Sequence, residues 1–260
     1  KNYAALAEKT GFDPKTLADF MAKKTDAVEI AATLAAALGT KLPEIDVQDF
    51  RRSGYLPEAL LNFIALIGWS PGGDREILTA DQMLELFSLD GIQKTPGRFD
   101  RKKLAWMNGE YIRASGIERL ADAVESFNAV ADTPLKRADR ATILELLRMY
   151  QERMVTIAEM AENARFFFEE PVMDPKAVQK HVQTDEGQAF LRQILAILEP
   201  VRTWTRQSDG DPLQPGGLPA AMEAILALGV DAGAKRGAAA QPLRVAISGG
   251  TITPPLLEPL

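Results

Sequence analysis

A chain of 260 residues with 30 lysines and arginines against 36 carboxylates has a net charge of −6, which excludes a bulk basic footprint but leaves room for a local patch that binds nucleic acid. It has no cysteine, so disulfides, thiolate zinc sites and a cysteine nucleophile are ruled out, and the composition fits a cytoplasmic protein. The length allows one or two domains with sizeable cores, and neither a signal peptide nor a spanning segment is evident. The chain opens on Lys1 and stops at Leu260 just after an apolar run begins, so it reads as a piece of something longer.

Residues 1 to about 45 predict two or three short helices. Tyr3, Leu6 and Ala7 lead to Gly11, and Asp13-Pro14 then reopens a helix carrying Leu17, Phe20 and Met21. A third, alanine-rich run from Val28 to Leu38 stops at Gly39. The spacing of Leu6-Ala7, Gly11, Thr16-Leu17 and Leu34-Ala35 also resembles a repressor-type helix-turn-helix. A DNA reader needs several cations on phosphates and side chains that reach bases. The segment to Asp49 has six lysines against eight carboxylates and no arginine. A packing module is therefore the preferred reading, with a helical interaction or helix-turn-helix module centred on residues 1–45 as the alternative.

The stretch from Asp49 to Ser70 organises the rest. Pro57 stands where a proline opens a helix and Gly68 where a glycine closes one. Between them only Glu58 and Asn62 are polar, so this helix is expected to be covered on nearly every side. It is too short for a bilayer, which takes about 20 residues. Arg51, Arg52 and Tyr55 stand just before it. A turn follows over Ser70 to Asp74, then Thr79 is placed to cap a helix over Ala80 to Phe87, with Asp81 in its first turn. Pro96-Gly97 breaks the chain again, and Phe99-Asp100 opens a helix from Arg101 through Arg113. From Phe50 to Ser115 there are nine basic and eight acidic residues, with Arg51, Arg52, Arg101, Lys102 and Lys103 grouped. Such a group is either a solvated face or a contact for phosphate.

From Gly116 the pattern stays helical and turns more acidic. The longest predicted element runs from about Asp139 to Phe168. Its apolar residues Ile143, Leu147, Tyr150, Met154, Ile157, Ala161, Ala164 and Phe168 alternate in spacing by four and three, a seam for packing against neighbours. Arg153 flanks that seam, where an arginine is usually a snorkelling surface residue. Asp174-Pro175 starts another helix and a longer one is expected from about Gly187 to Trp204. His181 is the sole histidine and has no cluster of partners, so it reads as an ordinary residue. Residues 208–217 make a long loop without a phosphate-binding glycine pattern. From Gly237 to Leu256 the pattern gives a helix, a glycine turn and a second helix opened by proline.

Four sets of residues carry a resemblance that periodicity does not. The first is Phe50-Arg51-Arg52-x-Gly54-Tyr55-Leu56-Pro57-Glu58-Ala59-Leu60-Leu61-Asn62-Phe63, followed by Leu66-x-Gly68-Trp69-Ser70-Pro71. The second is Phe99-Asp100-x-x-Lys103-Leu104-x-Trp106-x-Asn108-Gly109-x-Tyr111-Ile112-Arg113. The third is Ala164-Arg165-Phe166-Phe167-Phe168. The fourth is Gln241-Pro242-Leu243-Arg244-x-Ala246-Ile247-Ser248-Gly249, with Thr253-Pro254-Pro255-Leu256 after it. From about Asp49 to its last residue the chain resembles the C-terminal half of bacterial glutamyl-tRNA synthetases. It departs from them where Ile247-Ser248 replaces the usual Leu-Thr and where Pro255 replaces a common glycine.

The resemblance implies an all-α fold, with a multi-helix stem-contact region over 49–115 and a helical-bundle anticodon-binding domain over 116–260, truncated at its C-terminal helix. Residues 1–48 then form a small helical insertion. Carried over by position, Arg153 faces the third anticodon base, Arg244 and Leu256 contact the first, and Thr253 with Pro254 encloses the central uridine. Arg51, Arg52, Arg101, Lys102 and Lys103 become contacts to the tRNA backbone. The implied partners are glutamate tRNA and an N-terminal catalytic domain, with no membrane, in a cytoplasmic monomer. The parent ligase uses ATP and magnesium through a His-Ile-Gly-His type motif and a Lys-Met-Ser-Lys type loop. This sequence holds neither, so the expectation is tRNA binding without a cofactor, a metal or catalysis of its own.

Overall fold

The computed structural model describes residues 3–40, 42–94, 97–201, 218–233, 235 and 238–251. Among them every regular element is helical, and one isolated antiparallel bridge joins Trp69 to Ile92. The fold is all-α, as the sequence leads one to expect. Contacts divide the chain into two compact units, Lys1–Phe50 and Arg51–Leu260.

The first unit is built from α1 (Tyr3–Thr10), α2 (Pro14–Met21) and α3 (Val28–Leu38), and α4 (Val47–Arg52) begins in it. Its helix ends follow the local chemistry of the sequence. Gly11 and Gly39 take left-handed φ values of 74° and 62° just past α1 and α3. The Asp13 carboxylate accepts from the backbone amides of Lys15 and Thr16 at 2.9 and 3.0 Å, with Pro14 at the first helical position. Bonds from Thr16, side chain first, hold that carboxyl below its ordinary range. Leu17, Ile30 and Leu34 form the core, flanked by Leu6, Phe12 and Phe20.

The second unit carries α5 (Pro57–Gly68), α6 (Ala80–Leu86), α7 (Arg101–Ala114), α8 (Ile117–Asn128), α9 (Arg140–Tyr150) and α10 (Ile157–Asn163). After these come α11 (Pro175–Ala177), which runs into a wide turn over Val178–Val182, and then α12 (Asp185–Leu198), α13 (Leu218–Asp231) and α14 (Ala240–Ser248). Pro57 opens α5 as expected. Thr79 and Gln82 close a capping box on α6, and Asp100 caps α7 by accepting from Lys102 and Lys103. α5 and α7 pack antiparallel. Near the start of α5 the Leu56 amide donates to Asn108 Oδ1 at 2.8 Å. Further along, the Phe63 and Phe99 rings meet edge to face at 4.9 Å. A Cβ on Gly97 would fall 2.2 Å from the Ile67 carbonyl. A second core gathers Phe190, Ile194, Ile225, Ala239 and Leu243 from α12, α13 and the start of α14.

Three sequence expectations are corrected. The continuous helix over 139–168 is instead α9, a turn over 151–156, α10 and a single tight turn at Arg165–Phe167. Thr156 accepts from the Glu159 amide at 3.2 Å and starts α10 afresh, while the seam residues from Ile143 to Ala164 stay buried across the break. The spacing by fours and threes reports which residues face inward, and a turn that keeps them inward preserves it. The α5 helix is not covered all round, because Leu61 and Ile64 are 52% and 50% exposed. The α12 helix ends at Leu198 rather than reaching Trp204, because Pro200 would strike a carbonyl one turn back. The loop over 208–217 and the second C-terminal helix lie outside the described residues.

Gly54 holds a close backbone approach that bears on the site. Its φ is 76°, its carbonyl accepts from the Ile157 amide at 3.1 Å, and a Cβ there would lie 2.5 Å from the Ala158 nitrogen. Gly54→Ala is therefore expected to cost at least about 2 kcal/mol, from left-handed strain plus overpacking, read as a fall in the urea midpoint. Tyr111 and Tyr150 supply a pH test. Burial raises both phenols above their ordinary value, and the charge of Glu58 adds to the rise at Tyr111. A raised folded value means stability intact below a pH of about 10 and lost as pH climbs through the folded values. The urea midpoint should fall steeply above that pH in the wild type and less steeply in Tyr111→Phe and Tyr150→Phe.

Candidate nucleic-acid interface

The turn between α9 and α10 presents Arg153. The amides of Arg153 and Met154 both donate to the Tyr150 carbonyl at 2.9 Å, so the turn is tight. Met154 points inward, 1% exposed, and Arg153 outward. Both ends are anchored to α7. At the first, Gln151 Nε2 donates to the carbonyls of Ile112 and Ser115 at 2.9 and 2.8 Å, with Arg113 O at 3.3 Å. At the second, Asn108 Nδ2 donates to the Val155 carbonyl at 2.5 Å. The Val155 amide donates in turn to Glu159 Oε2 at 2.8 Å.

Arg244 sits on α14. Leu243 and Val245 are buried on either side of it, which leaves Arg244 half-buried at the surface of that helix. The far end of α14 is fixed by Gly249, whose φ of 79° closes the helix and whose carbonyl accepts from the Asp174 amide at 2.8 Å. A Cβ on Gly249 would stand 2.3 Å from the Val172 carbonyl, so glycine is needed there for space as well as for conformation. Burial lowers the pKa of the Arg244 guanidinium, and the positive charge of Arg153 lowers it further. The fold thus brings Arg153 and Arg244 into electrostatic range of one another. Both guanidinium groups are donors only and suit electron-rich acceptors. Thr253, Pro254 and Leu256 lie outside the described residues.

The basic group between Phe50 and Ser115 does not come together as one patch. Arg51 and Arg52 precede α5, whereas Arg101, Lys102 and Lys103 open α7 beside the far end of α5. The two sets lie toward opposite ends of α5, a helix about 18 Å long for its 12 residues. Arg51 donates to the Ser126 carbonyl and Oγ at 3.3 and 3.1 Å, at the C-terminal end of α8. Arg52 borders a cleft of about 300 Å³ with Phe127, Pro134 and Arg165. The Arg101 guanidinium lies 5.6 Å from the Phe99 ring, and Lys103 pairs with Glu76 at 2.5 Å. Lys103 also lines a cleft of about 620 Å³ with Trp69, Arg75 and Trp106.

Other arginines serve the scaffold. Arg140 is gripped by Glu118, Asp122 and Glu125 of α8, and Arg165 by Glu162 and Glu169. Among the described residues no group of His, Cys, Asp and Glu could hold a metal ion, and no helix is long and apolar enough to cross a membrane. Sequence reasoning missed Gln151 and Asn108 as anchors. Asn108 left a signal, because a polar residue beside Gly109 in the middle of α7 interrupts a helix interior.

Comparison with known proteins bears on this geometry. Residues 118–260 match the family model for an anticodon binding domain, and residues 41–106 match that for the catalytic domain of class I tRNA synthetases (E and Q). The glutamate–tRNA ligase of Elusimicrobium minutum (strain Pei191) is 33% identical over 226 residues, covering 85% of this chain and 44% of the relative. That of Paraburkholderia phymatum is 36% identical over 217 residues, covering 81% and 42%. A solved glutamate tRNA ligase from Elizabethkingia meningosepticum, in complex with its amino acid, superposes with a TM-score of 0.59 at 20% identity, covering 87% of this chain and 50% of that one. That last likeness bears on the fold alone. The chain spans under half the length of these curated relatives.

Proposed function

Because the chain belongs to the family of anticodon binding domains, whose model covers residues 118–260, we propose that it is the tRNA-binding part of a glutamate–tRNA ligase. In this reading residues 49–115 contact the inner corner of the tRNA and residues 116–260 read its anticodon. Residues 1–48 are an insertion. Glutamylation, with its ATP and magnesium, belongs to the part of the catalytic domain that these residues do not include. The observation that carries the reading is the match of residues 118–260 to the anticodon binding model. Arg153 and Arg244, far apart in the sequence, both lie within that span, and the charge of Arg153 acts on Arg244. The match of 41–106 to a class I synthetase model and the similarity to glutamate–tRNA ligases support it.

The chemistry of the third anticodon position follows from donor and acceptor types. Glutamate anticodons end in cytosine, whose pairing edge offers a carbonyl and a ring nitrogen as acceptors. Glutamine anticodons end in guanine, a larger base whose pairing edge offers one carbonyl beside ring and exocyclic N–H groups. Arg153 has only donors, so it matches the two adjacent acceptors of cytosine better than the mixed edge of guanine, whose larger ring also crowds a bulky arginine. Arg244 and Leu256 take the first base, and Thr253 with Pro254 takes the central uridine.

Binding of glutamate tRNA should exceed binding of the same tRNA with guanine in the third anticodon position. Arg153→Gln should remove most of that preference, a loss on the scale of about 1–3 kcal/mol per misread base. Equal binding of both tRNAs by the wild type would count against discrimination, and a preference that survives Arg153→Gln would move it to another residue. Arg51→Glu with Arg52→Glu should weaken both tRNAs alike and lower the slope of log affinity against log salt by about 1–2, because phosphate contacts position while base contacts specify. Unchanged affinity at low salt would make these arginines a solvated face.

A further inference from the structure

We infer that Gln151 is the positioning residue for Arg153, acting through its clamp on the C-terminal end of α7. The inference rests on the reading of Arg153 given above and adds the group that holds it. A helix leaves its last carbonyls without partners, and many helices meet that need with a left-handed glycine. α7 ends differently. Ser115 is extended, with φ −81° and ψ 145°, and its hydroxyl donates to the Tyr111 carbonyl at 2.7 Å. The Ser115 amide donates to the Ile112 carbonyl at 3.2 Å, and the side chain of Gln151 adds a second donor there and a donor to the Ser115 carbonyl beyond it. Gln151 Nε2 has two hydrogens, and two acceptors lie at 2.9 and 2.8 Å, Ile112 O and Ser115 O.

The backbone consequence reaches Arg153 directly. Gln151 is the first residue past α9, and its own amide still bonds to the Leu147 carbonyl at 2.8 Å. Its backbone thus ends α9 while its side chain seizes α7, which fixes where the turn leaves the helix. Asn108, on the same helix α7, takes the Val155 carbonyl two residues beyond Arg153. Arg153 is therefore suspended between two anchors on one rigid rod. Without the Gln151 anchor the turn keeps its inward residue Met154 but is no longer fixed against α7 at its first end. An exposed arginine must hold its direction if it is to read a base edge.

The test uses Gln151→Met, which keeps length and removes the donor, and Gln151→Lys, which restores a donor suited to a helix C-terminus. Each variant of the chain is measured for binding to glutamate tRNA and to the transcript with guanine at the third anticodon position. Hydrogen exchange at the Arg153 and Met154 amides is followed without RNA. Gln151→Met should lower the preference about three- to tenfold, the reach of one or two lost hydrogen bonds. It should also speed both amides and leave the salt slope unchanged. Gln151→Lys should keep more than half of the preference and the slow exchange. A Gln151→Met chain that keeps wild-type preference and wild-type exchange overturns the inference, as does an equal loss in both variants, which would assign the effect to space rather than to donation. If Arg153→Gln has no effect on preference, the anticodon reading fails by itself. The exchange rates then still decide whether Gln151 positions the turn.

Discussion

The contact between Gly54 and the start of α10 is the constraint on which the second unit depends. Here two backbones approach until only hydrogen fits between them, and the Gly54 carbonyl takes the Ile157 amide. Close by, Asn108 spends both ends of a fully buried amide, one on the Leu56 amide and one on the Val155 carbonyl. An unmet buried amide costs several kcal/mol of order, so these partners are held to their positions. The stretch before α5, the middle of α7 and the turn before α10 are thereby a single joint. Asn62 makes a looser version nearby. Its oxygen accepts from the Leu78 amide and the Tyr111 hydroxyl, but its buried Nδ2 finds no partner among the described residues.

Charge is distributed on the same plan. Several arginines of this acidic chain are neutralised locally. Arg140 and Arg165 are each surrounded by carboxylates that raise their affinity for the proton further, led by Glu118 and Glu162 respectively. Arg244 is the opposite case, lowered by burial and by a neighbouring cation. The direction of these shifts separates arginines committed to the scaffold from one set against its own kind, and composition alone cannot make that distinction.

Local chemistry was the most legible part of the sequence. The opening of α5 by Pro57, the capping of α6 by Thr79 and of α7 by Asp100, and the stops at Gly11 and Gly39 all depend on neighbours within a few residues. Long-range consequences were harder. The seam from Ile143 to Phe168 suggested one helix because burial has the same period on either side of a turn. The five basic residues looked like one group because sequence grouping does not register that α5 and α7 run in opposite directions. Arg244 was singled out by family likeness alone, since nothing in its spacing marks it. Gln151 carried no signal, because its acceptors are the carbonyls of a helix some 36 to 39 residues away.

The length of α7 has a consequence of its own. This helix carries Arg101, Lys102 and Lys103 on its first turn and holds the Arg153 turn from its middle and its last turn. At 14 residues it is a strut of about 21 Å. An RNA that touches both ends is gauged by it, since a strut of fixed length admits only a partner whose bends are spaced to suit. Selection by this protein would then begin with the outline of the folded RNA, before any base is read.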